Sequence, residues 1–402
     1  MAGLNETPKG DRVHIAFFGL RNAGKSTLVN RLTGQDVAIV SDVAGTTTDP
    51  VSKAMEILPL GPCLVTDTAG LDDEGPLGEM RVKKSLDVLA TTDIAVWVED
   101  GTVTSAASPV APLVGSAGGS GVSPLSPTYA RFLAACRARD IAVLHYRRGD
   151  DVDAFRRELA AVHLVDVPRP LVRDLVAPGD VVVCVCPIDE SAPKGRLILP
   201  QQQVVRELLD AGAAALVCQP PQLADLLVRT AGVKFVITDS QAFKAVAAVV
   251  PPEIPLTSFS IVFARAKGDL AAYCAGAAAL AALKDGDRVL ISEGCTHHRQ
   301  CNDIGTVKLP KWISAKTGKR LEFEWTSGNA FPEDLSPYAL VVHCGGCMLT
   351  RRAVQARIAR CRAAGVPITN YGVCIAACHG IVASPDTCMV LRQRADEKLT
   401  NS

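Results

Sequence analysis

The sequence predicts an α/β protein whose parallel sheets are covered by helices. Strand-like apolar runs alternate with helix-like segments along the chain, which is typical of strand–helix–strand units. The alternation falls into three series, and 402 residues is a suitable length for two or three domains. We therefore expect three α/β domains, at about residues 1–164, 165–266 and 267–402.

Composition and charge narrow the class of protein. The chain is 48% hydrophobic and 21% charged, as in ordinary globular proteins. Lys plus Arg and Asp plus Glu both number 42, so no excess charge favours nucleic acid or an anionic membrane as a partner. No apolar run reaches about 18 residues, and "MAGLNETPKGDR" has no apolar leader segment, so we expect a cytoplasmic protein. Its fourteen cysteines are then expected to be reduced thiols.

The first series starts with the strand "VHIAFFGL" and the helix "KSTLVNRL". Its further strands are "CLVTDTAG", "DIAVWV" and "IAVLHY". An uncharged segment rich in Gly, Ala, Ser and Pro predicts a disordered insertion at about residues 101–127. The second series opens with "DVVVCVCP", and the third begins near "KGDLAAYC". Cysteines that stand singly in these strands and helices are interpreted as small core residues.

A phosphate-binding loop follows the first strand. "GLRNAGKS" matches G-x-x-x-x-G-K-[ST], and both its flanks fit, with a strand before it and a helix after it. The glycines allow backbone N–H groups to turn toward a phosphate chain, and the helix N-terminus adds positive potential. We expect Lys25 to reach the β- and γ-phosphates and Ser26 to ligate Mg²⁺. The predicted nucleotide contacts are Gly19, Asn22, Ala23, Gly24, Lys25, Ser26 and Thr27.

Two later segments fit the same chemistry. "DTAG" ends a strand, so Asp67 is expected to hold Mg²⁺ through water and the Gly70 amide to contact a γ-phosphate. "GTTTD" lies between, and its Thr46 or Thr47 is expected to close over the phosphate and the metal. The predicted catalytic set is Lys25, Thr47, Asp67 and Gly70, with Ser26, Thr47 and Asp67 around magnesium.

In this order and spacing the three segments resemble the translation-factor-like GTPases, close to the branch that modifies tRNA or assembles ribosomes. The resemblance implies a P-loop GTPase fold for the first series. The alternation further along the chain predicts two smaller parallel-sheet α/β domains after it. Asn22 in the loop matches branch members whose hydrolysis depends on potassium, so K⁺ is also implied. The branch reads guanine with Asn-Lys-x-Asp, where this chain has "HYRRGDD". Asp150 remains as an acceptor for the guanine edge; the choice between GTP and ATP stays open, and slow turnover is expected.

A second candidate site combines cysteines and histidines. The strands in "RVLISEGCTHHRQC" and "ALVVHCGGC" are each followed by soft-metal donors. Ligands collect beyond the carboxyl ends of strands in an open parallel sheet, so these donors are expected to converge. The predicted ligands are Cys295, His297, His343, Cys344 and Cys347, with His298 and Cys301 as neighbours.

The type of metal stays open at this point. Three cysteines leave a fourth position to His297, to His343 or to an outside ligand, and thiolates favour zinc or an iron–sulfur cluster. A well-formed α/β domain does not need a structural zinc, which favours a functional cluster, while a Cys/His zinc site is the alternative. Unligated core thiols would explain a single cysteine, but they explain two donor-rich strand ends poorly.

Cys-x-His, a spacer and His-Cys-x-x-Cys, placed after a GTPase domain, resemble the HydF family of FeFe-hydrogenase maturation factors. "PLTSFSIVFARAKGDL", "CTHHRQCNDIGTVKLPKWI" and "HCGGCMLTRR" extend the likeness over nearly the whole chain. The resemblance implies a GTPase domain, a dimerisation domain and a domain with a 4Fe–4S cluster. Cys295, Cys344 and Cys347 would hold that cluster, with His297 or His343 near an exchangeable fourth position.

The resemblance also implies a role as scaffold and carrier. A homodimer would receive a diiron precursor built with radical-SAM maturation enzymes and pass it to the apo-hydrogenase, with GTP hydrolysis modulating partner exchange. The alternative is a zinc-containing GTPase of RNA modification or ribosome assembly, which the balanced charge disfavours. A third reading is a nucleotide-binding adaptor that no longer hydrolyses GTP.

Overall fold

The computed structural model divides into two compact units, Met1–Val167 and Pro168–Ser402. The structure describes residues 7–34, 50–58, 60–73, 75–100, 126–162, 169–188, 197–294, 303–328, 330–383 and 390–391. None of the helices in these ranges is long and apolar enough to cross a membrane.

The first unit is a five-stranded sheet with the order β2-β3-β1-β4-β5. Its strands are β1 (Val13–Gly19), β2 (Val51–Ile57), β3 (Gly61–Asp67), β4 (Ile94–Glu99) and β5 (Ala142–Arg147). Its helices are α1 (Lys25–Thr33), α2 (Gly75–Asp87), α3 (Pro127–Arg137) and α4 (Val152–Ala160). β1, β3, β4 and β5 are parallel, as the sequence predicts, but the edge strand β2 runs antiparallel to β3. Only a short connection separates β2 from β3, and such a connection can join antiparallel strands but not parallel ones.

β1 is buried on both faces, which holds the start of the phosphate loop in place. Ile15 and Phe17 pack with residues of α1 and α4, while Ala16 and Phe18 pack with α3 on the opposite face. The rings of Phe18 and Phe132 lie 5.1 Å apart. Such continuous apolar burial is typical of a central parallel strand covered by helices on both faces.

The predicted insertion at residues 101–127 falls almost entirely outside the described residues. Ser126 caps α3, because its side chain accepts a hydrogen bond from the Tyr129 amide at 3.2 Å. Pro127 is the first residue of the helix, where its missing N–H costs nothing. The chain is therefore helical again from Pro127.

The second unit contains two four-stranded sheets, both entirely parallel, with the orders β7-β6-β8-β9 and β11-β10-β12-β13. The first comprises β6 (Val181–Val185), β7 (Ala214–Cys218), β8 (Val233–Thr238) and β9 (Leu256–Ser258). The second comprises β10 (Arg288–Ser292), β11 (Glu322–Thr326), β12 (Tyr338–His343) and β13 (Ile368–Asn370). Two short antiparallel strands follow, β14 (Val382–Ala383) and β15 (Val390–Leu391). The parallel α/β character predicted for this half of the chain is confirmed.

Eight helices cover these sheets in the described part of the unit. They are α5 (Leu199–Asp210), α6 (Leu223–Arg229), α7 (Phe243–Val249), α8 (Phe259–Lys267), α9 (Leu270–Ala278), α10 (Leu309–Thr317), α11 (Arg351–Ala363) and α12 (Tyr371–Cys378). One hydrophobic core contains Val183 and Val236 from the first sheet together with Leu290 and Val341 from the second. The two sheets of this unit therefore share a core. Cys136, Cys184 and Cys361 are fully buried, as expected of core cysteines.

The contact between α9 and β13 is close enough to depend on one glycine. A Cβ built on Gly276 would lie 2.0 Å from the carbonyl oxygen of Ile368. That oxygen belongs to the backbone of β13, so it cannot rotate away as a side chain would. A side chain at position 276 would have to separate the helix from the strand.

We expect Gly276→Ala to lower the free energy of unfolding by about 1–3 kcal/mol, because the added methyl overpacks the interface. Helix propensity alone would give the opposite sign, about 1 kcal/mol in favour of alanine. Chemical denaturation followed by circular dichroism measures the difference. Ala275→Gly, at an exposed position of the same helix, is the control and should lose about 1 kcal/mol through propensity. A stabilised Gly276→Ala protein would contradict the packing described here.

Candidate functional site

The phosphate loop connects β1 to α1 in the conformation that its sequence predicts. Gly24 has φ +93° and Asn22 has φ +62°, both in the left-handed region. A Cβ on Gly19 would lie 2.4 Å from the Val98 carbonyl oxygen, so β4 approaches too closely for any side chain there. The backbone is thus turned so that α1 begins at Lys25, with its N-terminal N–H groups at the loop.

Lys25 lies against the loop that it is expected to serve. Its Nζ donates to the carbonyl oxygen of Leu20 at 2.7 Å and to that of Gly19 at 3.4 Å. Burial lowers the pKa of this ammonium group, and the nearby Asp67 carboxylate opposes that change. The charge therefore sits in a largely enclosed position beside the loop, where its attraction for a phosphate is weakly screened.

Asp67 and Ser26, two of the three predicted magnesium ligands, are in direct contact. Ser26 Oγ donates to Asp67 Oδ2 at 2.5 Å. The second oxygen, Oδ1, is buried and has no hydrogen-bond partner among the described residues. Burial raises the pKa of Asp67, while Ser26 and Lys25 oppose that rise. A hydroxyl and a carboxylate with a spare oxygen fit Mg²⁺, which takes oxygen ligands and a small number of protein carboxylates.

Gly70 lies beside the phosphate loop, as its predicted role requires. A Cβ at this position would come within 2.9 Å of the Arg21 amide nitrogen and of Asp72 Oδ1. The Arg21 amide donates to Asp72 Oδ1 at 2.6 Å, and the Leu71 amide donates to the Gly19 carbonyl at 3.1 Å. The segment after β3 therefore contacts the phosphate loop directly. Thr46 and Thr47 lie outside the described residues.

The segment expected to read the base follows β5. The Arg147 amide donates to Asp150 Oδ2 at 2.9 Å, and Tyr146 Oη donates to the Asp150 carbonyl at 3.0 Å. These bonds hold Asp150 in a tight turn. The side chain of Arg148 lies next to the phosphate loop, because its Cδ is 3.5 Å from the position of a Cβ on Gly24. Arg148 is a contact of the loop that the sequence did not indicate.

The cysteine–histidine site is built by the pairing of β10 with β12. Ser292 is in register with His343, and the Cys344 amide donates to the Ser292 carbonyl at 2.9 Å. The Gly294 amide then donates to Cys344 Sγ at 3.0 Å. The two donor-rich strand ends therefore meet, and Gly294 is the residue that immediately precedes Cys295. Cys295, His297, His298 and Cys301 lie outside the described residues.

The surroundings of Cys344 suit a thiolate ligand. Its Sγ accepts from two amides, those of Gly294 and Gly346 at 3.0 and 3.4 Å. Burial raises the pKa of the thiol, while these amides and the Arg357 charge oppose the rise. A Cβ on Gly294 would lie 2.6 Å from Leu349 Cγ, so only glycine lets this backbone reach the sulfur. Amide donors aimed at sulfur stabilise the ionised form that binds metal.

Cys347 belongs to a turn that a buried lysine holds. Lys267 Nζ donates to the carbonyl oxygens of Leu349 and Cys347, at 3.0 and 3.3 Å. The Cys347 side chain is half-buried against the core that contains Phe259 and Val262. Within the described residues, no three His, Cys, Asp or Glu side chains are placed as a complete metal site. Of the predicted ligands, those residues include His343, Cys344 and Cys347.

His343 is fully buried and both its ring nitrogens are engaged. Nδ1 lies 2.7 Å from the Cys344 carbonyl oxygen, and Nε2 lies 3.0 Å from Arg357 Nη1. These partners assign the neutral tautomer that donates from Nδ1 and accepts at Nε2. Burial and the Arg357 charge lower the pKa of His343 to about 3, so the ring is neutral at physiological pH. Ligation through Nε2 would require the loss of the Arg357 contact.

These two sites define a P-loop GTPase with an additional cysteine-bearing α/β region. Residues 14–115 match the family described as 50S ribosome-binding GTPase, which supports GTPase activity and GTP, GDP and Mg²⁺ as ligands. Residues 171–268 match the hydrogen maturase F dimerization domain, and residues 271–384 match the hydrogen maturase F tetramerization domain. Since these two models together cover more than half of the chain, it belongs to the hydrogen maturase F (HydF) family of FeFe-hydrogenase maturation GTPases. Its matched domains indicate self-association.

The tRNA modification GTPases named MnmE match the GTPase part of the chain. The tRNA modification GTPase MnmE of Rhodospirillum rubrum is 42% identical over 122 residues, covering 28% of this chain and 26% of the relative. MnmE of Paramagnetospirillum magneticum is 41% identical over 107 residues, covering 25% and 24% respectively. The chain therefore spans about a quarter of the length of these relatives.

Solved structures resemble the chain only distantly. Era of Aquifex aeolicus, bound to GDP and AlF₄⁻, is 15% identical with a TM-score of 0.26, covering 80% of this chain and 94% of Era. Toc33 of Arabidopsis thaliana, in complex with GDP and Mg²⁺, is 24% identical with a TM-score of 0.20, covering 23% and 38%.

We expect Asp67→Asn to raise the free energy of unfolding by about 1 kcal/mol near neutral pH in magnesium-free buffer. The folded protein holds the Asp67 carboxylate at a raised pKa, so ionisation destabilises it. Wild-type stability therefore recovers as the pH falls through that raised pKa, and the difference between the proteins should shrink. Urea denaturation from neutral pH downward measures both effects. Glu79→Gln, on an exposed carboxylate of α2, should change stability by less than about 0.5 kcal/mol. An Asp67→Asn protein that is less stable than the wild type at neutral pH would contradict the raised pKa of Asp67.

Proposed function

We propose that this chain is a scaffold and carrier in FeFe-hydrogenase maturation, with Cys295, Cys344 and Cys347 binding a 4Fe–4S cluster. The observation that carries this proposal is the 3.0 Å hydrogen bond from the Gly294 amide to Cys344 Sγ. It joins the Cys-x-His strand end to the His-Cys-x-x-Cys strand end.

Three thiolates suit a carrier better than four. A cluster with three strong protein ligands keeps one iron open or weakly held. Such an iron can accept a bridging ligand from a diiron precursor and later release it. The precursor would come from radical-SAM maturation enzymes and pass to the apo-hydrogenase. Both would be partners of the carrier. The membership of the family and the donor set support this role.

The GTPase domain would regulate these exchanges. A γ-phosphate at Lys25 and Gly70 orders the surrounding loops and is lost on hydrolysis, which changes a docking surface. The dimerisation domain supports a homodimer as the working unit. Arg147 and Arg148 stand where related GTPases carry the Asn and Lys of the guanine motif, which weakens the recognition of the base. We expect slow turnover, accelerated by K⁺ through Asn22.

Anaerobic reconstitution with iron and sulfide tests the cluster. We expect a brown protein with thiolate-to-iron absorption, and we expect Cys344→Ala, Cys347→Ala and Cys295→Ala each to reduce bound iron severalfold, since each removes a strong ligand. Cys274→Ala, in α9, is the matched control and should load like the wild type. A colourless wild-type protein with stoichiometric zinc would refute the proposal and favour the zinc-containing GTPase.

Nucleotide titration tests the base reading. Asp150→Asn keeps an acceptor for the Arg147 amide but removes the charge, so GTP affinity should fall about 10–100-fold, as for a lost charged hydrogen bond. ATP affinity should already be low and should not change. Phosphate release, compared in KCl and NaCl, measures the potassium effect in the same preparation. Equal wild-type affinities for ATP and GTP would remove the guanine assignment.

A further inference from the structure

A buried arginine lies behind the cysteine–histidine site with no anionic partner among the described residues. Arg357, in the middle of α11, is 5% exposed. Nη1 donates to Ser292 Oγ at 3.2 Å and to His343 Nε2 at 3.0 Å, and Nη2 donates to the Gly328 carbonyl at 2.6 Å. The guanidinium also lies 5.2 Å from the centre of the Phe331 ring. In the described ranges every one of these partners is neutral, and no carboxylate forms an ion pair with Arg357.

These contacts give the N–H groups of Arg357 hydrogen-bond acceptors, but they do not neutralise its positive charge. Burying a cation without a counter-ion is costly, even where each N–H finds an acceptor. Arginine stays protonated under these conditions, so the charge cannot be relieved by losing a proton. The fold therefore keeps a permanent positive charge in its interior. Glu293, the residue after β10, is also buried, but its carboxylate accepts from Tyr371 Oη at 3.2 Å and forms no ion pair with Arg357 within the described residues.

The contacts of Arg357 lead to the cysteine site. His343 and Ser292 are the last residues of β12 and β10, the two strands whose ends carry the candidate cysteines. The imidazole donates onward to the carbonyl of Cys344 at 2.7 Å. Arg357 is therefore one side chain away from the backbone of Cys344. A 4Fe–4S cluster held by three thiolates carries a net negative charge. It would therefore serve as a counter-ion for Arg357.

We propose that Arg357 is a positioning residue that supplies a fixed positive charge to the anionic iron–sulfur group at Cys344 and holds His343 out of its ligand set. This inference rests on the proposed function. The guanidinium occupies His343 Nε2, so the imidazole orients the strand end and does not ligate iron.

The charge is tested by the midpoint potential of the reconstituted cluster, followed by EPR. A nearby cation favours the reduced, more negative cluster. Arg357→Gln should therefore lower the ratio of reduced to oxidised cluster at a fixed potential about tenfold, which is ~59 mV for one electron. Arg357→Lys keeps the charge but not the fork of donors, and it should stay within about threefold of the wild type. Equal shifts in the two variants would show that packing, and not charge, is responsible, and would overturn the inference.

Arg360→Gln is the matched control. Arg360 lies one turn further along α11 and also contacts the Phe331 ring, at 5.0 Å. It is only half-buried, and its Nη2 donates to the Pro332 carbonyl. Its loss should leave the potential within about threefold of the wild type. A shift as large as that of Arg357→Gln would mean that any charge on this helix suffices, and would overturn the specific role of Arg357.

The role of His343 gives a second measurement that does not need a folded Arg357 variant. Pulsed EPR of the loaded protein detects nitrogen bound to iron, and His343→Gln should leave that signature unchanged. A nitrogen coupling present in the wild type and lost in His343→Gln would overturn the inference. Failure of the wild type to load any cluster would instead refute the proposed function, and it would be seen before any variant is compared.

Discussion

The parallel pairing of β10 with β12 is the constraint on which the second site depends. It sets Ser292 opposite His343 and ends with the Cys344 amide bonded to the Ser292 carbonyl. Parallel strands finish at the same edge of a sheet, so segments separated by about fifty positions in the sequence leave the sheet side by side. The cysteines do not create this proximity. The buried apolar residues of the two strands do, and the donor-rich turns follow from where those strands stop.

Much of this could be predicted from local sequence signals. The phosphate loop, its strand and its helix follow a spacing that leaves few alternatives, and the structure places Lys25, Ser26, Asp67 and Gly70 together as expected. The ends of β10 and β12 could also be predicted, because each apolar run is followed at once by polar residues, glycine and cysteine. In both cases a short sequence pattern determines the local backbone conformation. That conformation then determines which residues lie next to one another.

Other features needed the three-dimensional structure. The direction of β2 depends on the short connection to β3, because its alternating pattern fits either direction. Arg148 reaches the phosphate loop from β5, a contact that no spacing encodes. The buried role of Arg357 has only a weak signal in the sequence. It falls in the same helical stripe as Val354, Ile358 and Cys361, all buried in α11, and a charged residue in an apolar stripe is a signal of a buried polar role.

Both sites share one physical property, which is a buried charge with incomplete compensation among the described residues. Within those residues, Asp67 Oδ1 has no hydrogen-bond partner and Arg357 hydrogen-bonds only to neutral groups. Each arrangement lowers the stability of the fold on its own and is relieved by a ligand of opposite charge. Ligands that bind only the folded chain stabilise it by mass action, so filling either site should raise the free energy of unfolding.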